Sequence, residues 1–344
     1  MRIVWTCVLT TLLCTCGRAQ HEILRSKLTL PAFLENSSLR QDTLVDHTGL
    51  SLQYLASHTD HDALLVYCTG SLPVPLLFVE NEKYYNTLPF PLSDLTSTHD
   101  VAVASKPGVP LAVAKADLNE RFQVVDASGQ FPRSYTDRNY LDYYVRTTNA
   151  LLKHLTAGKK YRQVVVMGHS QGARVAAKVA ATNPAVTHLV YLSGNPLGRY
   201  DQLIREKREA ALAGQITDEE ANAAIAQLYD RWRQINADAG SLDTRFGDSN
   251  KTWTSFSEST VGELLGLDIP LFVGYGTRDI VARYCDLLPL HFITAGKDDL
   301  LTLRAYPDYD HSFHPVAADG RADFSERGFL KVIEDVLSWL KLAK

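Results

Sequence analysis

The sequence is poor in the residues that staple or metallate a small fold. It has 5 cysteines in 344 residues, and Cys7, Cys14 and Cys16 crowd into the first stretch of the chain. Cys68 and Cys285 remain, too few for a disulfide scaffold. These two read either as a pair formed in an oxidising compartment or as small buried hydrophobes. An excess of charge of one sign is also lacking: 35 Lys and Arg stand against 39 Asp and Glu, a net charge of −4. That balance gives no reason to expect nucleic acid or an anionic membrane as partner. The N-terminal apolar run, Ile3 to Leu13, is shorter than the ~20 residues of a membrane span. No Walker loop, dinucleotide fingerprint or zinc-type Cys/His spacing occurs, so neither a cofactor nor a metal is expected. His58, Asp60, His61 and Asp62 lie close together, but between two predicted strands they read as a polar turn.

What is present begins with a leader. Arg2 precedes the apolar run, and Gly17-Arg18-Ala19 puts small residues at −3 and −1 of a cleavage before Gln20. This is the layout of a signal peptide over residues 1–19, implying a secreted or periplasmic mature chain over 20–344. Leu13-Cys14-Thr15-Cys16 loosely resembles a lipobox, which leaves an N-terminal lipid anchor at Cys16 open. Asn36-Ser37-Ser38 and Asn250-Lys251-Thr252 fit glycosylation sequons, which matter only in a eukaryotic source.

Beyond the leader, apolar runs and helical patterns alternate. Strands are predicted at Gly49–Ser57, Ala63–Cys68, His99–Ser105, Gln163–Met167, His188–Leu192, Ile269–Val273 and Leu301–Ala305. Helices are predicted at Asp137–Thr156, at Ala173–Thr182, near Cys285 with an interruption at Pro289, and at Phe324–Leu342. Continuous apolar strands alternating with helices imply a mostly parallel sheet covered on both faces. Residues 199–250 break the rhythm. They are charged and Ala-rich, with a capping box at Thr217 and Glu220 and an apolar stripe through Ala221, Ile225, Leu228, Trp232 and Ile235. They read equally as a helical lid or as a peripheral packing pair.

The segment Val164-Val165-Val166-Met167-Gly168-His169-Ser170-Gln171-Gly172 places G-x-S-x-G between a buried strand and a small-residue helix. A serine hydroxyl is a weak nucleophile unless it is exposed, oriented and paired with a base. A sharp strand-to-helix turn does the first two. With these residues the chain resembles the α/β-hydrolase superfamily, especially exported bacterial esterases and prolyl-oligopeptidase-like hydrolases. The resemblance runs from about Ser51 to the C-terminus and is weakest in the insertion.

It implies an α/β-hydrolase fold, a mostly parallel central sheet with helices on both faces and a helical lid insertion. It also implies a triad in the order nucleophile, acid, histidine. Asp279, closing Gly276-Thr277-Arg278-Asp279 after a late strand, matches the acid; Asp268 lies at the wrong end of that strand and Asp286 inside the expected helix. His311, in Tyr309-Asp310-His311-Ser312-Phe313, matches the histidine, with His314 as competitor. Asp308 and Asp310 are too close in sequence to His311 to be favoured as its partner. By the same resemblance the oxyanion donors are the backbone N–H of Gln171 and that of Ser71, in Cys68-Thr69-Gly70-Ser71. Thr69 departs from the commoner histidine there, and Pro73 and Pro75 cannot donate an N–H.

The expected chemistry is hydrolysis of a carboxylic ester of a small molecule or short acyl substrate through an acyl-enzyme on Ser170. A peptidase acting on short peptides and a catalytically silent scaffold are the alternatives. Only roughly thirty mature residues precede Ser51, no room for a propeller of ~4–8 blades. Trp253, Phe256 and Tyr275 are candidates to line an apolar pocket, though core burial accounts for them equally.

Overall fold

The computed structural model describes residues 30–343 except 58 and 327. The expected leader, its cleavage site and Cys16 lie outside the described residues. The chain begins with α1 (Leu30–Asn36), β1 (Leu39–Val45), β2 (Ser51–Ser57) and β3 (Ala63–Cys68). There follow β4 (Leu77–Glu80), β5 (Lys83–Asn86), α2 (Leu92–Thr96), β6 (Asp100–Ala104), β7 (Ala112–Ala114), α3 (Arg133–Thr136) and α4 (Leu141–Thr156). The G-x-S-x-G segment joins β8 (Gln163–His169) to α5 (Gln171–Thr182), followed by β9 (His188–Leu192), α6 (Arg199–Leu212) and α7 (Asp218–Ala237). The remainder is α8 (Asn250–Ser257), α9 (Val261–Leu265), β10 (Leu271–Gly276), α10 (Leu288–Thr294), β11 (Leu301–Tyr306) and α11 (Gly328–Leu342).

Eight strands form the central sheet in the order β1-β2-β6-β3-β8-β9-β10-β11. The β1–β2 and β2–β6 pairs are antiparallel, and every pairing from β6 to β11 is parallel. This is the mostly parallel α/β architecture expected. The unbroken apolar strands follow from burial on both faces: Val164 and Val166 join the core with α4 and α5, while Val165 and Met167 join the core with α1, α2 and α11. Each such valine or leucine contributes about 1.5–3 kcal/mol by leaving water, so the central strands anchor everything hung on their ends.

Several boundaries differ from expectation for physical reasons. The helix predicted from Asp137 starts at Leu141, because Asn139 is buried and engaged with Tyr144 and Gln171 through its side chain. Pro289 does not interrupt a helix but sits in the first turn of α10, where its missing N–H removes no helical bond. The strand β1 and a small sheet ordered β5-β4-β7 were not expected at all. In β1 only Leu39 is buried, so no apolar alternation marks it. The small sheet's strands are only 3 or 4 residues long.

The insertion consists of α6 and α7, between β9 and β10, and the capping box is formed: the Glu220 N–H donates to Thr217 Oγ1 at 3.1 Å and the Thr217 N–H to Glu220 Oε2 at 2.8 Å. Tyr200, Ile235 and Trp253 form a separate small core there. Cys68 and Cys285 are free, buried thiols. Asn250 is fully buried and donates to Asp238 O at 3.1 Å, so the folded chain does not offer it for glycosylation. His61 bonds Thr96 O and Asp62 pairs with Arg162. No cluster of three or more His, Cys, Asp or Glu among the described residues could hold a metal. Among them too, no helix is long and apolar enough to cross a membrane.

Candidate active site

The site lies at the carboxyl ends of the parallel strands, where open α/β sheets gather ligand-binding loops. Ser170 stands between β8 and α5 with φ 57° and ψ −124°. A non-glycine residue in such a conformation costs about 1–3 kcal/mol and persists only where its surroundings enforce it. Here the Ser170 N–H donates to Leu192 O at 2.9 Å, and the flanking glycines let the backbones close in. A β-carbon on Gly168 would lie 2.0 Å from Gly172 O, and one on Gly172 would lie 2.0 Å from Cys68 O. Larger residues at either position would therefore force backbone apart.

Three residues far apart in sequence meet at this turn. His311 Nε2 is 2.8 Å from Ser170 Oγ, and His311 Nδ1 is 2.8 Å from Asp279 Oδ2. Asp279 is 1% exposed, and its Oδ1 accepts the Val281 N–H at 2.8 Å. One carboxylate oxygen is thus held by the backbone and the other aims at the imidazole, which leaves Nε2 facing the serine. His314 makes no such contact; its Nδ1 lies 3.5 Å from Asp310 Oδ2. Asp310 ties its own loop, accepting the N–H groups of Ser312 and His314, and Asp308 pairs with Arg278 at the surface.

The electrostatics favour a histidine that readily takes a proton. Burial disfavours the charged imidazolium of His311, but the field and hydrogen bond of Asp279 outweigh it and raise its pKa above 6.5. His169, the residue before Ser170, behaves oppositely. Burial first, then the neighbouring His311, pushes it down to about 4. As a neutral ring it donates from Nε2 to His311 O at 2.8 Å, and it packs edge-on against Phe329. His169 therefore fixes the backbone of the histidine loop. This contribution was missed in the sequence, although the residue lies inside the motif.

The loop expected to face the oxyanion is pinned at both ends. Lys106 Nζ donates to Thr69 O at 3.4 Å and the Leu72 N–H donates to Tyr135 Oη at 3.0 Å. A β-carbon on Gly70 would lie 3.8 Å from Ser170 Cβ, so the loop runs beside Ser170. Gln171 opens α5, the position whose N–H has no helical acceptor. The aromatic residues suggested as pocket walls are core residues instead: Trp253, Phe256 and Tyr275 are all buried. Trp253 packs beneath Arg199 and Arg231, and the Tyr275 hydroxyl bonds Asp286.

Residues 90–335 match the alpha/beta hydrolase family. The chain belongs to that family. No curated protein matches this hydrolase in sequence. Its structure is similar to that of an esterase from Pyrococcus furiosus, at 13% identity and a TM-score of 0.53 over 93% of this chain and 96% of that one. It is also similar to a dipeptidyl peptidase 4 from Porphyromonas gingivalis, at 10% identity and a TM-score of 0.52 over 89% of this chain and 35% of that one. An acylaminoacyl peptidase from Pyrococcus horikoshii matches at 9% identity and a TM-score of 0.52, over 88% of this chain and 41% of that one. At these identities the likeness is one of fold. The hydrolase spans almost the whole of the esterase but less than half of either peptidase.

Proposed function

We propose that the protein is a serine hydrolase that cleaves a carboxylic ester through an acyl-enzyme on Ser170. The observation that carries this reading is the continuous pair of 2.8 Å contacts from Ser170 Oγ through His311 to Asp279. In this reading His311 takes the serine proton as Oγ attacks the carbonyl carbon, and returns it to the departing alkoxide as alcohol leaves. Water, deprotonated by the same imidazole, then releases the acid and regenerates the serine. Asp279 keeps the proton-accepting nitrogen toward the serine and stabilises the imidazolium. The Gln171 and Ser71 N–H groups are the donors assigned to the tetrahedral oxyanion, assisted by the positive end of α5.

Labelling with a fluorescent fluorophosphonate, alongside Ser170→Ala, tests the reading. The wild type is expected to label and to hydrolyse p-nitrophenyl acetate. Ser170→Ala is expected to lose the label and on the order of 10⁶-fold in kcat, the scale of removing a triad nucleophile. Label retained by Ser170→Ala would place the nucleophile elsewhere. Faster turnover of a matched amide than of its ester would replace esterase by peptidase.

A further inference from the structure

The connection between β9 and β10 is longer than a crossover requires, and its first helix touches the turn that carries the acid. We propose that the insertion is a buttress for this turn, with Arg205 on α6 as a positioning residue that keeps Asp279 in register with His311. The inference rests on the serine hydrolase reading above.

Arg205 is 8% exposed. Its Nη1 donates to Ile280 O and its Nη2 to Val281 O at 3.4 Å. Nε donates to Asp201 Oδ2 at 2.8 Å, one helical turn back on α6, and the guanidinium lies 4.3 Å from the centre of the Tyr284 ring. A planar fork of donors can hold two successive carbonyls and still keep its carboxylate; a lysine ammonium at the same place cannot reproduce that geometry. Val281, whose carbonyl is held, donates its own N–H to Asp279 Oδ1 at 2.8 Å. The contacts therefore run without a gap from Asp201 through Arg205 and Val281 to Asp279, His311 and Ser170. One turn further along α6, Glu209 pairs with Arg283 at 2.6 Å and ties the helix to the same segment again. A lid swinging on α6 would have to break all of these at every opening.

Arg205 touches neither the serine nor the imidazole, so its effect is transmitted through Asp279. The groups facing His311 are Asp279 from the β10 turn, His169 from the end of β8, and Asp310 from its own loop. Loss of a nearby cation would by itself raise the imidazole pKa. A fall on removing Arg205 thus reports a loosened Asp279 rather than a missing charge.

The test uses the full chain with Arg205→Met, Arg205→Lys and, as control, Arg233→Met on the exposed face of α7, where the side chain is 73% exposed. The His311 titration is followed by NMR, assigned with His311→Gln, and kcat and KM are measured on p-nitrophenyl acetate. For Arg205→Met the His311 midpoint should fall toward 6.5. Its kcat should drop on the order of 10²-fold, as for a misplaced catalytic group, with KM little changed. Arg205→Lys should recover part of both, and Arg233→Met should match the wild type. A folded Arg205→Met with the wild-type titration and kcat, even if less heat-stable, overturns the proposal. If the Met variant does not fold, wild-type values in Arg205→Lys overturn it instead. Should the wild type fail to label with fluorophosphonate, the hydrolase reading falls. The imidazole titration would still report whether Arg205 governs Asp279.

Discussion

Along β8 every residue from Gln163 to Gly168 is buried, whereas along α7, a helix of 20 residues, only Ala221, Ile225 and Ile235 are. The strand is clamped between two large cores, and the Ser170 turn at its end inherits that rigidity. The insertion shares only a small core with Trp253 of α8 and is tied to the turn after β10 through polar contacts such as Arg205 with the 280–281 carbonyls and Glu209 with Arg283. The strained Ser170 is thus held by close backbone packing. The Asp279 turn is held by hydrogen bonds and ion pairs from a peripheral element. Packing tolerates almost no change in volume, whereas a polar tie can be weakened by degrees.

The sharpest way to break this comparison is Gly172→Val. The new side chain would collide with the backbone carbonyl of Cys68, so a loss of more than about 4 kcal/mol, and no soluble active protein, is expected. Soluble Gly172→Val that still labels with fluorophosphonate would show that the elbow yields. A second experiment sets Leu65→Ala in β3 against Ile235→Ala in α7, both fully buried positions. Each should cost about 2–5 kcal/mol locally. Hydrogen exchange should differ in reach: Leu65→Ala lowers protection across the sheet, while Ile235→Ala lowers it in α6 and α7 and spares β8. Equal losses everywhere would mean one cooperative unit, and the contrast between the regions would fail.

The smallest expected effect is in the pH profile, and it sharpens the electrostatic side of the comparison. A general base acts when neutral. Because the pKa of His311 is raised, kcat/KM should climb through a midpoint above 6.5 and be lost as pH falls below it. His169, pushed down to about 4, is neutral across that range and should add no second step. A midpoint below 6.5 in the free enzyme would mean that Asp279 does not govern the imidazole.

Much of the sheet was legible because its physics is local. Gln163–Met167 is continuously apolar since both faces are covered, and Gly168 through Gly172 announces the turn because only small residues fit there. What escaped had no local signature. The edge strand β1 is nearly all exposed and carries no alternation. The helix boundary at Leu141 is decided by the buried Asn139 and its partners in other elements. Arg205 looks like any charged helix residue, because the carbonyls it holds lie 75 and 76 positions away.

The sequence by itself determined the secondary-structure rhythm, the family and the small residues of the G-x-S-x-G turn, all properties of short windows and their order. Tertiary structure alone decided that Ser170 and His311, 141 positions apart, meet at hydrogen-bonding distance, and that His169 supports the histidine loop. It likewise brought the α6 helix of the insertion against the Asp279 turn. Those contacts exist only after the sheet has packed, because no local preference specifies which distant side chain an unpaired backbone group will find.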